Sequence, residues 1–459
     1  MLLFAMVGWP SYQVRRSVIA GIPERPDLSS TREVLRDRIQ QAEERARSWR
    51  KPARGLEELG RLYHANGFLG PAQEAYRKCM EIDATNSRVA HRLATISAGY
   101  GRLDEAVPLF RRVMDLDPDF LPARVRLGDA LAKLNRPHEA AEVYRGLLKR
   151  DATHPQALLG LARIDEQTGN AGAARERVRL LVQAHANFAP GWALLASIET
   201  KLGNADAAET ARAREQAGAS QHDLPDSWID ELWTDCFDAY RLRVAAASAP
   251  DSATAERWLQ RAILVAPDDA APRRQLGDLL TRQRDFQGAR DQLERAVELG
   301  PKDADNWAYL VRLLDLAGDA PAAERALAAG LTHCPQSPSL RLERGRRLQR
   351  SGQLEPALAE FETSRRLRPQ EIDAYVELST TYFRLNRIEE GIAALRSALA
   401  VEPGHPVALS ALAFCAIGIG DEPTARQALR DARAQPRVSR TDLEKLTRRY
   451  GERFGRTPW

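Results

Sequence analysis

The sequence predicts an all-α chain, a solenoid of antiparallel helix pairs, and three observations predict it. Apolar residues recur at helical spacing in short blocks: in the stretch 304–337, Trp307, Leu310 and Leu314 mark one stripe and Ala323, Ala326 and Leu327 a second. Gly318 and Asp319 part the stripes and Pro335 ends the second, so the stretch reads as two short helices folded back on each other. The same frame returns every 34 residues along most of the 459. A period of that length marks a helical repeat array, in which each unit touches only its neighbours.

Taken in order, residues 1–29 read as a tail or a clipped export leader. Residues 1–9 are mostly apolar but too short for a span, and Arg15 and Arg16 follow this run where a secretory signal would have basic residues ahead of it. Residues 30–52 form a capping helix. Ser30 with Glu33 makes a capping box, and Leu35, Ile39, Ala42, Ala46 and Trp49 fall on one face. Residues 53–222 hold a first array of five units, starting at Ala53, Ser87, Leu121, Pro155 and Ala189. The second helix of the fifth, around Ala208 to Ala217, carries charge where bulk is expected, so the stack ends there.

Residues 223–235, DLPDSWIDELWTD, break the register with five acidic residues and no basic one. Trp228, Ile229, Leu232 and Trp233 stand at helical spacing. This insertion is expected either to tuck both tryptophans against the end of the first array or to stand out as an acidic docking motif. Residues 236–439 restart the register in six units, at Cys236, Ala270, Ala304, Pro338, Ile372 and Pro406. The first of these is degenerate, with Pro250 at its turn. Residues 440–459 close the array with a capping helix, in which Thr441 with Glu444 forms a second capping box and Leu443, Leu446, Tyr450 and Phe454 share a face. Two abutting arrays are expected.

The twentieth position of each unit is Ala72, Ala106, Ala140, Ala174, Ala208, Ala255, Ala289, Ala323, Ala357, Gly391 or Ala425, small because the two helices of a unit meet there. Pro118, Pro267, Pro301, Pro335, Pro369 and Pro403 stand at position 32, where a helix must stop, while Ala84, Ala152, Ala186 and Arg437 depart from that rule. With an aromatic or Leu at position 4, Leu at 7, and Gly or Ala at 8, this pattern resembles the tetratricopeptide repeat, in about eleven copies over about 370 of the 459 residues. The resemblance implies a right-handed α-α superhelix. The order of parts, with ELGRLYHANGF opening the first array and PDSWIDELW after it, resembles a group of exported bacterial tetratricopeptide proteins.

Bulk properties narrow the function. The chain is 44% hydrophobic and 28% charged with a mean hydropathy of −0.44, and no apolar run of 18 residues offers a membrane span. A net charge of +4 over this length does not imply a nucleic-acid surface. Cys79, Cys236, Cys334 and Cys415 lie far apart, without a CxxC pair, and no phosphate-binding loop, dinucleotide fingerprint or GxSxG elbow is present. HEAAE at 138–142 lacks the second histidine of a metalloprotease motif, and His333 beside Cys334 makes too few ligands for a metal site. No catalytic residue, metal site or cofactor is expected.

The resemblance also implies that the first helix of each unit lines a concave groove, with positions 2, 5, 9, 12 and 13 facing it. Units seven to nine place Arg274, Arg282, Arg312, Arg346 and Arg350 there against Asp278, Asp305 and Asp315. Units one to three place Arg54, Arg61, Arg88 and Lys133 against Glu57 and Asp129. Guanidinium groups fork onto carboxylates, so an acidic peptide or chain terminus is the expected guest. Val376, Phe383, Val407, Phe414 and Ile417 form an apolar strip in units ten and eleven, open to a partner helix or strand, or else covered by residues 454–459.

The candidate peptide-binding residues are therefore Arg274, Arg282, Arg312, Arg346, Arg350, Phe383 and Phe414. The expected function is a non-enzymatic scaffold for a protein or peptide partner. The alternative is an accessory or assembly factor, or a regulatory repeat subunit, of an exported enzyme or glycosyl transferase. An RNA reader would need a more basic groove and a 35-residue period. The compartment is left open, cytoplasmic by default and periplasmic if the leader is an export signal.

Overall fold

The computed structural model describes residues 16–18, 21–48, 50–217, 225–435 and 438–459. The leader at 1–9, Trp49, Asp223, Leu224 and Arg437 lie outside the described residues. The chain forms two compact units, Met1–Ala266 and Pro267–Trp459. Among the described residues every regular element is helical.

In the first unit α1 (Glu33–Arg47) packs on α2 (Pro52–Ala65), which pairs with α3 (Leu69–Ile82). The next pairs are α4 (Ser87–Gly99) with α5 (Leu103–Leu116), α6 (Leu121–Lys133) with α7 (Pro137–Leu148), α8 (Pro155–Gln167) with α9 (Ala171–Ala184), and α10 (Ala189–Lys201) with α11 (Ala205–Ala217). A short helix α12 (Ser227–Asp230) runs into a 3-10 turn, Glu231–Asp235. The unit closes with α13 (Ala239–Ala247) and α14 (Ser252–Val265). The second unit repeats the pairing in α15 (Ala270–Arg282) with α16 (Phe286–Leu299), α17 (Ala304–Leu316) with α18 (Ala320–His333), α19 (Pro338–Arg350) with α20 (Leu354–Leu367), α21 (Ile372–Arg384) with α22 (Ile388–Val401), and α23 (Pro406–Ile419) with α24 (Glu422–Ala434). Helix α25 (Arg440–Phe454) caps it, packed on both α23 and α24.

Local chemistry explains the pairing. The alanines at position 20 are no more than 7% exposed, because there the second helix presses on the first. Where position 8 is glycine, a large side chain from the second helix fills the space: a Cβ on Gly60, Gly128 or Gly345 would sit 2.4–2.5 Å from the ring of Tyr76, Tyr144 or Phe361. In the tenth unit the roles reverse, and Phe383 on the first helix lies against Gly391 on the second. The turn between the helices needs a left-handed residue at position 15. It is Gly67, Gly101, Gly169, Gly203, Gly318, Gly352 or Gly420 in most units, Asn135 and Asn386 in two, and Arg284 in one. The degenerate unit has Pro250 at that position, which cannot take a positive φ, and its first helix α13 is only nine residues long.

Both expected capping boxes are corrected. Helix α1 starts after Arg32 with no side-chain cap, and Thr31 turns back to the carbonyl of Leu28 instead. Helix α25 is capped by Ser439, whose Oγ accepts from the N–H of Asp442 at 3.4 Å, while Thr441 lies inside the helix. Successive first helices touch, as in α6 with α8 and α17 with α19, whereas successive second helices show no comparable packing. The first helices therefore form the inner face of each unit.

Candidate functional site

On the inner face of the first unit lies the acidic segment 226–235. Asp226 caps α12, accepting from the N–H of Ile229 at 3.3 Å, and its other oxygen meets His91 Nε2 at 2.8 Å and Arg126 Nε at 2.9 Å. His91 stands on α4 and Arg126 on α6, so one carboxylate ties together two repeats. Trp228 stacks on Phe120 with centroids 3.6 Å apart and planes 6° off parallel, and His91 meets its edge. Its carbonyl accepts from Arg92 Nε at 3.1 Å. Glu231 takes Arg92 at 2.8 Å and Arg88 at 2.6 Å, and Asp235 takes Arg61 directly and Arg38 at 3.5 Å. Asn66 at the end of α2 bonds the carbonyl of Asp235 at 2.9 Å and the N–H of Phe237 at 2.7 Å.

The electrostatics follow from this enclosure. Burial drives His91 below its ordinary value against the opposing pull of Asp226, so it sits neutral and donates Nε2–H. Burial alone would raise Asp226, yet the bond to His91 and the charge of Arg126 outweigh it and hold the carboxyl below the usual range. Arg92 is almost wholly buried, and its Nη1 has no hydrogen bond, lying 3.7 Å from Glu57. Next to it, burial pushes His64 down to about 3.

The expectation that both tryptophans tuck against the end of the first array is corrected. Trp228 goes to the inner face of units two and three, and Trp233 leans on Trp258 of α14, with ring centroids 5.4 Å apart. Of the groove residues read from the sequence, Arg61 and Arg88 touch the segment. Arg54 and Lys133 are exposed, and Asp129 is held by Tyr144 Oη at 2.6 Å. Arg92 and Arg126 were missed because they stand at position 6, outside the positions taken to face the groove. His91, at position 5, could have been found by asking which uncharged groups share that face.

In the second unit every candidate arginine already has an acidic neighbour. Arg274 pairs with Asp303 at 2.5 Å and bonds Asn306 at 2.9 Å. Asp278 takes Arg312 at 2.7 Å and Arg282 at 3.2 Å, and Asp315 takes Arg350 at 3.3 Å together with Arg347. Arg346 sits among Glu377 at 2.7 Å, Glu343 at 2.8 Å and Asp373 at 3.1 Å, and these carboxylates raise its guanidinium despite burial. The count of a basic surplus left out Asp303, Glu343, Asp373 and Glu377, which lie outside the sampled positions or units. Arg274, Arg312, Arg346 and Arg350 form rungs between repeats, while Arg282 pairs one turn away on its own helix.

The apolar strip divides. Ile417 is buried, Val376 is half-buried, and Phe383 is half-buried against Gly391, so these belong to the packing of the unit. Phe414 and Val407 are about half exposed, at 47% and 53%, and face a groove of about 940 Å³ between α23 and α25. Leu446 lines it with Lys445, Arg448 and Arg449, and the Arg449 guanidinium lies 4.1 Å from the Phe414 ring centroid. Residues 454–459 do not cover it: Phe454 packs on Tyr450, Arg456 pairs with Glu422, and Arg433 lies over the Trp459 ring.

Among the described residues no group of three His, Cys, Asp or Glu side chains converges, and no helix is long and apolar enough to cross a membrane. Family sequence models described as tetratricopeptide repeat match residues 53–86, 97–149, 131–198, 270–313, 342–406 and 376–439. No curated protein sequence matches the chain. Among solved structures it is similar to yeast Tom70, at 14% identity over 86% of this chain and 93% of that one, with a TM-score of 0.40. PilW, described as a widely conserved type IV pilus biogenesis factor, is similar at 19% identity over 40% and 86%, with a TM-score of 0.37. MamA protein is similar at 16% identity over 38% and 98%, with a TM-score of 0.33. At these scores the likenesses assign no partner to this chain.

Proposed function

Because the chain belongs to the tetratricopeptide repeat family, we propose that it works as a scaffold whose inner, first-helix faces hold segments of protein partners without chemical turnover. The observation that carries this reading is the seat of residues 226–235. There the side chains of α2, α4 and α6, with Phe120 just before α6, hold the short helix and 3-10 turn by carboxylates, a carbonyl and one aromatic ring. A face that organises a segment from more than a hundred residues away has the chemistry of a peptide groove.

In the second unit the open place is the groove at Phe414. Its apolar floor suits the apolar face of an amphipathic segment, and its rim is mixed, with Asp442 and Glu452 beside Lys445, Arg448 and Arg449. The arginines at 274, 312, 346 and 350 then hold adjacent repeats in register, and a guest gains little from them.

The test is a photo-crosslinking residue placed at position 414, and at exposed Leu180 on a second helix as a comparison. Partner adducts are expected from 414 and not from 180. Equal labelling from both, or none from 414, would remove the inner-face reading.

A further inference from the structure

We infer that the groove between α23 and α25 takes a helical segment of a partner protein that lays an apolar stripe on Val407, Ala411 and Phe414 and brings a pair of carboxylates to Arg448 and Arg449. This deepens the scaffold reading and rests on it. The partner's charge follows from the register of the repeats.

Helix α25 starts 34 residues beyond the start of α23 and keeps the frame of a first helix, with Leu443 at position 4 and Leu446 at position 7. Arg448 therefore stands at position 9, like Arg312, and Arg449 at position 10, like Arg347. Both of those earlier arginines reach an acid on the preceding first helix. Arg312 meets Asp278, at position 9 of α15, at 2.7 Å, and Arg347 meets Asp315, at position 12 of α17. The first helix preceding α25 is α23, where positions 9 and 12 hold Phe414 and Ile417 and no residue carries a carboxylate. Among the described residues Arg448 has no acidic partner, and Arg449 lies over the Phe414 ring without one.

A rung that joins repeats elsewhere is thus half built here, with the guanidinium groups in place and the acids missing. The α23 wall offers apolar area instead, since Val407 and Phe414 are about half exposed. A helix lying along the groove meets both walls at once. Apolar residues seven apart cover Val407 and Phe414, which stand two turns apart, and carboxylates on the flank toward α25 complete the rungs. The rim also fixes where those carboxylates fall. Asp442 lies near the start of α25 and is shared with Lys445 at 3.8 Å, and Glu452 lies one turn beyond Arg448. Acids at the ends of the guest are opposed, and acids at its middle are taken up.

The experiment uses the full chain and two labelled helical peptides with the same leucine stripe, one with two glutamates at the centre of its polar flank and one with two lysines there. Binding is followed by fluorescence anisotropy at low salt, where rim charges are least screened. Wild type is expected to bind the glutamate peptide at least tenfold more tightly than the lysine peptide. Arg448→Glu with Arg449→Glu is expected to invert that order, and Phe414→Ser to weaken both peptides. Arg325→Glu with Arg366→Glu, the same charge change at exposed second-helix positions, is expected to leave the preference as in wild type. Arg448 and Arg449 are exposed, so their reversal leaves the packing of α25 in place, and an unchanged thermal midpoint checks this. Should the midpoint fall, Arg448→Gln serves instead, with an expected loss of about threefold for the glutamate peptide.

Equal binding of the two peptides, binding of neither, or a preference abolished by the second-helix control overturns the inference. Self-association of the chain that Phe414→Ser abolishes would assign the groove to a second copy and overturn it too. Partner adducts at position 414 without a preference between the peptides would leave the scaffold reading standing and remove this inference alone.

Discussion

Three histidines lowered by burial, His64, His91 and His154, make the first unit sensitive to acid. His64 is pushed down to about 3 by burial, then by Arg92 and Arg241, and His91 is lowered by burial beside Asp226, Arg126 and Arg92. All three have folded pKa values below the unfolded value of about 6.5, so the unfolded chain takes up protons first as the pH falls. Stability is therefore full above pH 6.5 and drains away as pH falls, for His64 toward about 3 and by about 1 kcal/mol per pH unit, and His91 adds a loss in the same direction. Asp226, also lowered, adds a loss in the same direction below its ordinary value. Urea midpoints of the first unit at pH 7.5 and 5.5 check this, and equal midpoints would contradict it. At the turns, Arg284 holds a φ of 65° where most other repeats have glycine. Arg284→Gly is expected to raise stability by about 0.5–1 kcal/mol through relief of that strain, read from the thermal midpoint.

At the scale of elements, the sequence named nearly every helix, because each is bounded by chemistry that acts locally. Glycine or asparagine sits where φ must be positive, proline where a helix stops, and alanine where two helices touch. What it did not name is where α12 goes. Helical spacing of Trp228 and Trp233 says that both are to be buried, not on which surface, and the answer depends on Phe120, His91 and Arg126, which come from different repeats. The same limit hid the acids that occupy Arg312 and Arg346, since each pair joins residues about 30 apart in sequence. Trp228→Ala should cost the first unit about 3 kcal/mol in chemical denaturation, as expected for emptying a buried ring site. At the other end, Leu446 and Tyr450 of α25 are packed with Ile417 and Leu429. A chain ending at 439 should bind an apolar dye more strongly and melt earlier, whereas one ending at 454 should behave as wild type. Dye binding raised equally in both would show that residues 455–459 cover the strip.

At the scale of the molecule, each repeat gains its stability from itself and its neighbours, so protection is expected to be uneven. The weakest stretch is 225–250, which holds a single four-residue turn, a 3-10 turn and the nine-residue α13. Its amides should exchange before those of α4 to α8, and uniform protection through it would refute the expectation.

The central claim is that the inner face of the first unit recognises carboxylates of a distant segment. It is tested most directly by a double-mutant cycle on Arg92 and Glu231, using Arg92→Met, Glu231→Gln and the pair, with stability measured by urea. A coupling of about 1.5–3 kcal/mol is predicted for this charge-assisted contact. Additive losses, with a coupling near zero, would mean that the segment does not sit on this face and would contradict the account.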